Sequence, residues 1–287
     1  MYPEGDAGAA PAADYGYDEG IKSKITRNLE GLIPLILIVI IAVFLLNRFD
    51  VVDIPFFEES EPIQMLVIGQ PSAQMLAMLD QDKDLIYARI RDAASINVAP
   101  EEQLAQYDMV VLDQHIGTTA YDHSVSRQVG EALENYVKTG GKLVVIMDSG
   151  IYRSGGIYGT GIASDIIGWT ATFGEIIPAE CDRAQNDVPT CKQPIHTVGR
   201  VYRNDFDHRI MQGIEVAPAD PSYPPLTLFT FDVKPTGNQV AYIKNEVTQS
   251  YYPAIVEKRL IMGKSLYFNY DPALTPGIWQ NTLEYLR

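Results

Sequence analysis

The hydrophobic pattern is most regular between Tyr107 and Gly150. Met109–Leu112 and Leu143–Met147 are short apolar runs that contain several β-branched residues, which is typical of strands buried on both faces. Between the two runs, apolar side chains recur at helical spacing: Val125, Val129, Leu133, Tyr136 and Val137. The segment therefore predicts a strand, a helix and a second strand.

Capping residues support this helix. Asp122 or Ser124 is a candidate N-cap, and Gly140–Gly141 is a candidate C-terminal stop. A crossover of this kind makes the two strands parallel and is almost always right-handed. We therefore predict an α/β fold with a doubly wound, mostly parallel, flavodoxin-like sheet.

Weaker patterns extend the same domain in both directions. Further strands are predicted at Gln64–Gly69, Leu85–Ile90, His196–Tyr202, Leu226–Phe231, Gln239–Ile243, Ala254–Glu257 and Ser265–Asn269. Further helical segments are predicted at Ser72–Leu79, Pro100–Gln106 and Ile278–Leu286. The α/β domain is thus expected to cover residues 63–287.

One stretch near the N-terminus is apolar on all sides. Gly31–Leu46 contains no charged residue, and Leu29 and Phe49 extend its apolar character. A buried core helix and a cleaved signal peptide are the alternatives, but no small-x-small cleavage pattern follows the stretch. We predict a single transmembrane helix over 29–49, which contacts the lipid bilayer as an uncleaved signal anchor.

The charges that flank this helix predict its orientation. Lys22, Lys24 and Arg27 precede it, whereas Arg48 follows it among several acidic residues. The positive-inside rule then gives a single-pass protein of the cell membrane, with a disordered cytoplasmic tail over 1–28 and an extracytoplasmic C-terminal domain. Residues 50–62 form the linker between the membrane helix and that domain.

The overall charge limits the classes of partner. The chain has 22 basic and 37 acidic residues, a net charge of −15, which argues against nucleic-acid binding and against an anionic membrane surface as a partner. Cys181 and Cys191 lie in a polar loop without zinc-ligand spacing. Either they are two free thiols, or they form a disulfide; the predicted extracytoplasmic location favours the disulfide.

Polar residues follow several of the predicted strands. These candidate residues are Gln70, Asp113, Gln114, His115, Asp148, Ser149, Asn269, Tyr270 and Asp271. In a doubly wound sheet the ligand lies outside the carboxyl ends of the strands, so these side chains are candidates for a site. Asp113, His115, Asp148 and His208 could hold a metal or perform acid/base chemistry, or they could be ordinary caps and surface groups. No motif such as HExxH is present, and we predict no metal.

The Gly- and Tyr-rich loop Ile151–Ser164 is a second candidate surface. Tyr152 and Tyr158 are candidates for contact with a protein or a glycan, because ordering a tyrosine side chain costs little entropy. The loop lacks the GxxxxGK[ST] pattern of a phosphate loop, and no cofactor is predicted. The predicted ligand-binding residues are Gln70, Gln114, Tyr152, Tyr158, His208 and Asp271.

Several segments together resemble the class I glutamine amidotransferase-like superfamily. They are YDMVVLD, YVKTGGKLVVIMDSG, DHRIMQGI, YPAIVEKRLIMGKSLYFNYDP and the terminal NTLEYL. Within that superfamily, the chain is most similar to ThuA-like proteins and to the auxiliary domains of gliding-type transporters. The resemblance covers Gln64 to the C-terminus and implies the amidotransferase-like fold.

The resemblance also shows a departure from the enzymes of that superfamily. They carry a nucleophilic cysteine on the turn after the strand that corresponds here to Leu143–Met147, and a His-x-Glu pair further on. This chain has Asp148-Ser149-Gly150 at the turn and no His-x-Glu. Ser149 could replace the cysteine, but Met147 and Ile151 occupy positions where a nucleophile elbow needs small residues.

Two functions therefore follow from the sequence. The first is a membrane-anchored, non-catalytic domain that binds a partner protein of an envelope complex, or a surface glycan, as a scaffold or accessory subunit. The second is an extracytoplasmic hydrolase of a sugar- or peptide-derived substrate, with Asp113, His115, Asp148 and Ser149 as candidate catalytic residues.

Overall fold

The computed structural model describes residues 34–43, 62–116, 123–153, 167–182, 190–219 and 223–287. The chain forms two compact units, Met1–Glu58 and Glu59–Arg287. In the first unit, helix α1 covers 34–43, and the side chains from Leu35 to Ile41 are exposed. Within the described ranges, no helix has both the length and the apolar character needed to cross a membrane. The predicted tail, the ends of the predicted membrane helix and almost all of the linker lie outside the described residues.

The second unit alternates strands and helices. Its strands are β1 (Ile63–Gly69), β2 (Ile86–Arg91), β3 (Met109–Asp113), β4 (Lys142–Ile146), β5 (Tyr152–Arg153), β6 (Ile167–Gly168), β7 (Ala179–Glu180), β8 (Ile195–Arg203), β9 (Val216–Ala217), β10 (Leu226–Thr230), β11 (Lys234–Pro235), β12 (Asn238–Asn245), β13 (Tyr251–Arg259) and β14 (Lys264–Phe268). Its helices are α2 (Ala73–Gln81), α3 (Pro100–Leu104), α4 (Arg127–Lys138), α5 (Thr170–Phe173) and α6 (Pro276–Leu286). Short 3-10 helices cover Ala93–Ile96, Arg209–Met211 and Pro272–Leu274.

The central sheet has a parallel part and an antiparallel part. Its strand order is β10-β8-β12-β13-β14-β4-β3-β1-β2, with β9 paired to β8. The strands in the order β2-β1-β3-β4-β14 are parallel, which is the flavodoxin-like arrangement. The predicted α/β class and flavodoxin-like order are confirmed. The antiparallel extension β13-β12-β8-β10 is not predicted by the sequence, because an apolar run does not reveal the direction of its strand.

Helices pack in two groups around the parallel strands. α3 and α5 contact α4, whereas α2 and α6 contact the 3-10 helix Pro272–Leu274. β1, β3 and β4 are buried on both faces, as the apolar runs predict. Burying one aliphatic side chain of this kind stabilises the fold by about 1.5–3 kcal/mol, so these strands form the centre of the core.

Helix α4 begins later than the sequence pattern suggests. Its N-cap is Ser126, whose Oγ accepts a hydrogen bond from the Val129 N–H at 3.3 Å. The predicted cap at Asp122 or Ser124 is therefore wrong, because Ser126 already satisfies this free N–H of the first turn. At the other end, Gly140 has φ +113, and the predicted glycine stop is confirmed.

The predicted disulfide is present. Cys181 and Cys191 are bonded, with their Cα atoms 5.3 Å apart. Closing a loop of this size stabilises a folded chain by about 2–3 kcal/mol on the chain-entropy model. The bond fixes the segment that follows β7 to the segment that precedes β8.

Gly69 lies where the parallel sheet changes direction. The chain leaves β1 for β2 on one side and then returns to β3 on the other. Gly69 is the last residue of β1 and has φ +122, and a Cβ at this position would lie 2.1 Å from the Asp113 carbonyl oxygen. Only glycine allows this close approach of β1 to β3.

Gly69→Ala is expected to destabilise the protein by about 3 kcal/mol, because the new methyl group meets backbone that cannot move away. The matched control is Gly213→Ala, since Gly213 has φ +72 but open space around a Cβ. The control should cost about 1 kcal/mol. Urea unfolding followed by the fluorescence of the buried Trp169 and Trp279 measures both values. Equal losses would contradict the steric explanation.

Candidate functional site

Four parallel strands bring their following polar residues to one edge of the sheet. Gln70 follows β1, Gln114 follows β3, Asp148 lies just after β4 and Asp271 lies just after β14. Because β1, β3, β4 and β14 are parallel, their carboxyl ends lie on the same side. The contacts among these residues determine which chemistry is possible at this edge of the sheet.

His115 lies between two carboxylates. Its Nδ1 is 2.5 Å from Asp113 Oδ1, and its Nε2 is 3.6 Å from Asp271 Oδ2. The side chains of Asp113 and His115 are 0% and 8% exposed. The imidazole thus connects the end of β3 to the end of β14, which lie on opposite sides of β4.

This arrangement favours the charged form of the imidazole. Burial by itself lowers the pKa of His115. Its hydrogen bonds with Asp113 and Asp271, and their negative charges, outweigh this effect and raise the pKa to about 10. Burial also raises the pKa of Asp271, but its hydrogen bond and ion pair with His115 outweigh this and lower it. Burial raises the pKa of Asp113, whose Oδ2 contacts no hydrogen-bond donor in the described part of the chain. At neutral pH, His115 is therefore an imidazolium.

A second imidazole pairs with Asp148. His123 Nδ1 lies 3.1 Å from Asp148 Oδ2, and both side chains are largely buried. Sequence reasoning missed His123, which precedes α4 in a segment without a clear pattern. Of the four candidate catalytic residues, Asp113 and His115 therefore form one pair, while Asp148 belongs to a second pair with His123.

Ser149 takes part in a closed hydrogen-bond network. Its Oγ accepts the Gln114 N–H at 2.7 Å, and its carbonyl accepts the Trp169 Nε1–H at 2.9 Å. The Gln114 side chain accepts the Gly150 N–H at 3.2 Å and donates to the Ser124 carbonyl at 3.2 Å. Ser149 is 0% exposed, so its hydroxyl lies beneath the surface of the site.

The left-handed position of the turn after β4 is occupied by Met147. β4 ends at Ile146, one residue earlier than the apolar run suggests, and Met147 has φ 52. A non-glycine residue in this region is strained and commonly marks a functional turn. In a nucleophile elbow the strained residue is the nucleophile itself. The methionine side chain ends in a thioether and has neither the hydroxyl nor the thiol that a nucleophile elbow needs at this position.

His208 lies in a different part of the molecule. It precedes the 3-10 helix Arg209–Met211; its Nδ1 accepts the Ile210 N–H at 3.3 Å and its Nε2 is 3.2 Å from Glu257 Oε2. Because Nδ1 accepts a hydrogen bond from this N–H, Nε2 carries the hydrogen and donates it to Glu257. Tyr285 donates a hydrogen bond to Glu257 as well. This cluster, which the sequence did not reveal because its members are far apart in the chain, borders a cleft of about 640 Å³.

Another cleft, of about 540 Å³, lies at the carboxyl ends of the neighbouring strands β1 and β3. Its lining residues are Gly69, Gln70, Asp92, Ala93, Ala94, Asn97, Gln114, Ser124, Val125 and Ser126. Two of the predicted ligand-binding residues, Gln70 and Gln114, are therefore brought together. We call this the switch-point cleft.

The remaining predicted residues are separated from these. Asp271 contacts His115, Tyr152 is 41% exposed in β5, and Tyr158 lies outside the described residues. In the ranges that the structure describes, no three histidine, cysteine or carboxylate side chains are grouped so as to hold a metal ion.

No protein-family model matches the chain, and no curated protein matches it significantly. Among solved structures, it is similar to a cytoplasmic protein from Salmonella typhimurium LT2, with a TM-score of 0.51, 18% identity and coverage of 78% of this chain and 100% of that one. At this identity the similarity shows a shared fold alone.

Two further solved structures are similar at lower scores. A putative ThuA-like protein from Bacteroides uniformis has a TM-score of 0.49 and 12% identity, covering 82% of this chain and 95% of that one. A β-galactosidase from Bacillus circulans sp. alkalophilus has a TM-score of 0.48 and 13% identity, covering 79% of this chain but 31% of that one. ThuA-like proteins are thus among the structures that resemble this chain at low identity.

His115→Gln is expected to destabilise the protein by about 3 kcal/mol at pH 7, because two buried carboxylates lose their shared cation. The pKa of His115 in the folded protein lies above the ordinary histidine value of 6.5. The contribution of His115 to the free energy of unfolding is therefore complete below pH 6.5 and is lost as the pH rises towards 10. Urea midpoints between pH 6 and 10 should therefore fall more steeply in the wild type than in His115→Gln. His196→Gln, at an exposed histidine, is the matched control and should keep the wild-type slope. Parallel slopes in wild type and His115→Gln would contradict the assignment.

Proposed function

We propose that this protein is a membrane-anchored, non-catalytic binding domain that holds a partner protein or a surface glycan as an accessory subunit. The turn after β4 carries this proposal. Met147 occupies its strained position, and the Ser149 hydroxyl is fully buried and engaged with Gln114. Attack on a substrate needs an accessible nucleophile within reach of a base, and this turn presents none.

The titratable groups support the same proposal. A general base or acid is most effective when its pKa is close to the working pH. His115, with a pKa raised to about 10, keeps its proton at neutral pH and acts as a fixed cation between Asp113 and Asp271. This role is structural: it holds the strand ends in place around the site.

The cysteines support a non-enzymatic branch of the amidotransferase-like fold. Cys181 and Cys191 are bonded to each other, so neither supplies a free thiol. A stable disulfide is also typical of an oxidising compartment, which agrees with an extracytoplasmic domain.

Membrane anchoring rests on the sequence over 29–49 and its flanking charges. Helix α1 lies inside that stretch, and Leu35, Ile38 and Ile40 are 59%, 62% and 57% exposed. Exposed apolar side chains of this kind need a nonaqueous environment, which a bilayer supplies. The net charge of −15 continues to argue against nucleic acid as the partner.

A hydrolase is the second candidate, favoured by the position of the switch-point cleft at the carboxyl ends of the strands. Such an enzyme would need Asp113, His115, Asp148 and Ser149 to act on one substrate atom. Asp113 and His115 pair with each other instead, whereas Asp148 pairs with His123 and Ser149 bonds to Gln114. The cleft therefore supports binding more strongly than catalysis.

The proposal is tested by affinity purification of the full-length, detergent-solubilised protein with mass spectrometry of what accompanies it. An Asp148→Ala, Ser149→Ala double variant should retain the partners of the wild type, because these residues support the fold and take no part in contact. The matched control is Asp80→Ala, Ser95→Ala, at exposed positions. The proposal would be contradicted if the folded wild type bound no partner and hydrolysed a substrate that the folded Asp148→Ala, Ser149→Ala variant did not.

A further inference from the structure

The switch-point cleft has the size of a small-ligand site. Its volume is about 540 Å³, which lies within the range of pockets that hold compact organic ligands. It opens at the carboxyl ends of β1 and β3, where the chain order in the sheet reverses, and in open α/β sheets this is the position where ligands bind. Gly69 keeps the two strand ends close together at its base.

The charge of the described lining residues disfavours anionic ligands. Among the lining residues that the structure describes there is no lysine, arginine or histidine, and Asp92 is the one ionisable side chain. A phosphate or carboxylate would lose its hydration there without gaining a cation. The cleft beside His208 differs in this respect, since Arg209, Lys258 and Arg259 line it.

Several polar groups of the lining keep hydrogen-bonding capacity for a ligand. Asp92 precedes the 3-10 helix Ala93–Ile96, but its side chain makes no capping hydrogen bond. The Gln70 backbone N–H donates to the Asp113 carbonyl at 2.8 Å, which fixes the backbone and leaves the side-chain amide to reach the cleft. The cleft therefore offers a ligand the carboxylate of Asp92 as a hydrogen-bond acceptor and the side-chain amide of Gln70 as a donor and acceptor.

The opposite side of the cleft is preorganised. The Ser126 hydroxyl donates to Asn97 Oδ1 at 2.6 Å and accepts the Val129 N–H, so Asn97 is oriented with its Nδ2 donors still to be used. Gln114 is held from both ends, by Ser124 and by Gly150. Fixing polar side chains before binding lowers the entropy that a ligand must overcome.

These features select a ligand whose groups both donate and accept hydrogen bonds. A sugar hydroxyl does both. Two hydroxyl groups on adjacent ring carbons suit the planar carboxylate and amide groups of Asp92, Gln70 and Asn97. Ala93, Ala94 and Val125 supply a small apolar surface for the C–H groups of a sugar ring. None of the described lining residues is aromatic, so their contribution to affinity would come from hydrogen bonds and not from ring stacking.

We propose that the switch-point cleft binds one or two residues of an uncharged glycan through Gln70, Asp92 and Asn97. The inference rests on the proposed function and makes it more specific, since it assigns the ligand class and the residues of contact.

The test is calorimetric titration of the full-length protein in a zwitterionic detergent, because sugar-based detergents would compete. The probes are neutral gluco-, manno- and galacto-tetrasaccharides, tetragalacturonate as the anionic counterpart, and spermidine as a cationic one. At least one neutral tetrasaccharide should bind, and tetragalacturonate should not. Saturable binding of spermidine, with none of the neutral probes, would overturn the proposal and would make Asp92 part of an amine site.

Variants locate the binding. Gln70→Ala and Asp92→Ala should each weaken the neutral saccharide about tenfold, the effect of one or two hydrogen bonds. Ala94→Trp should abolish binding by filling the cleft, and Ala94 is exposed, so the fold tolerates the change. Gln106→Ala and Asp80→Ala, at exposed positions outside the lining, are the matched controls and should bind as the wild type does. Unchanged affinity in Ala94→Trp would overturn the assignment of the site.

The same samples separate this inference from the proposed function. If partner proteins still co-purify with the Ala94→Trp variant and the wild type binds no saccharide, the glycan site is overturned and the binding function is left intact. Release of new reducing ends from a bound tetrasaccharide would contradict the non-catalytic function and would still place the glycan in the cleft.

Discussion

A buried imidazolium between two carboxylates is the constraint on which the carboxyl edge of the sheet depends. His115 contacts Asp113 at the end of β3 and Asp271 after β14, and these strands lie on either side of β4. Ions taken out of water must be paired, or the fold loses several kcal/mol for each unpaired charge. The pairing therefore fixes the ends of β3 and β14 relative to each other, on either side of β4.

The turn after β4 is enclosed by this arrangement. Asp148 pairs with His123, and Ser149 lies under Gln114 and beside Trp169, so the polar groups that a substrate would need are already satisfied. Gln114 belongs both to this closed network and to the switch-point cleft, because its backbone N–H bonds to Ser149 and the residue also lines the cleft. The edge of the sheet thus has a rigid polar interior and an open polar groove beside it. That combination suits a domain that binds its ligand and leaves it unchanged.

The sequence predicts the parallel part of this fold well, for reasons visible in particular residues. Met109–Leu112 and Leu143–Ile146 are buried on both faces and uniformly apolar, and the intervening helix repeats Val129, Leu133 and Val137 on its buried face. Candidates such as Asp113, His115 and Asp148 are also found by their position after these strands. Their partners are harder to predict: His123 precedes α4 in an irregular segment, and Glu257 meets His208 across a large separation in the chain. The N-cap of α4 is wrong in the sequence prediction because Ser124 and Ser126 are chemically equal, and backbone geometry alone chooses between them.

The central claim is that the carboxyl edge binds without catalysing, and chemical labelling of Ser149 tests it most directly. The full-length protein is treated with a fluorophosphonate, which forms a covalent adduct with the activated serine of a hydrolase, and its intact mass is measured beside a reactive serine hydrolase in the same solution. A buried Ser149 hydroxyl that accepts the Gln114 N–H should give no adduct, while the reference enzyme is labelled completely. A single adduct that disappears in Ser149→Ala would show an activated nucleophile at the turn after β4 and would contradict the account.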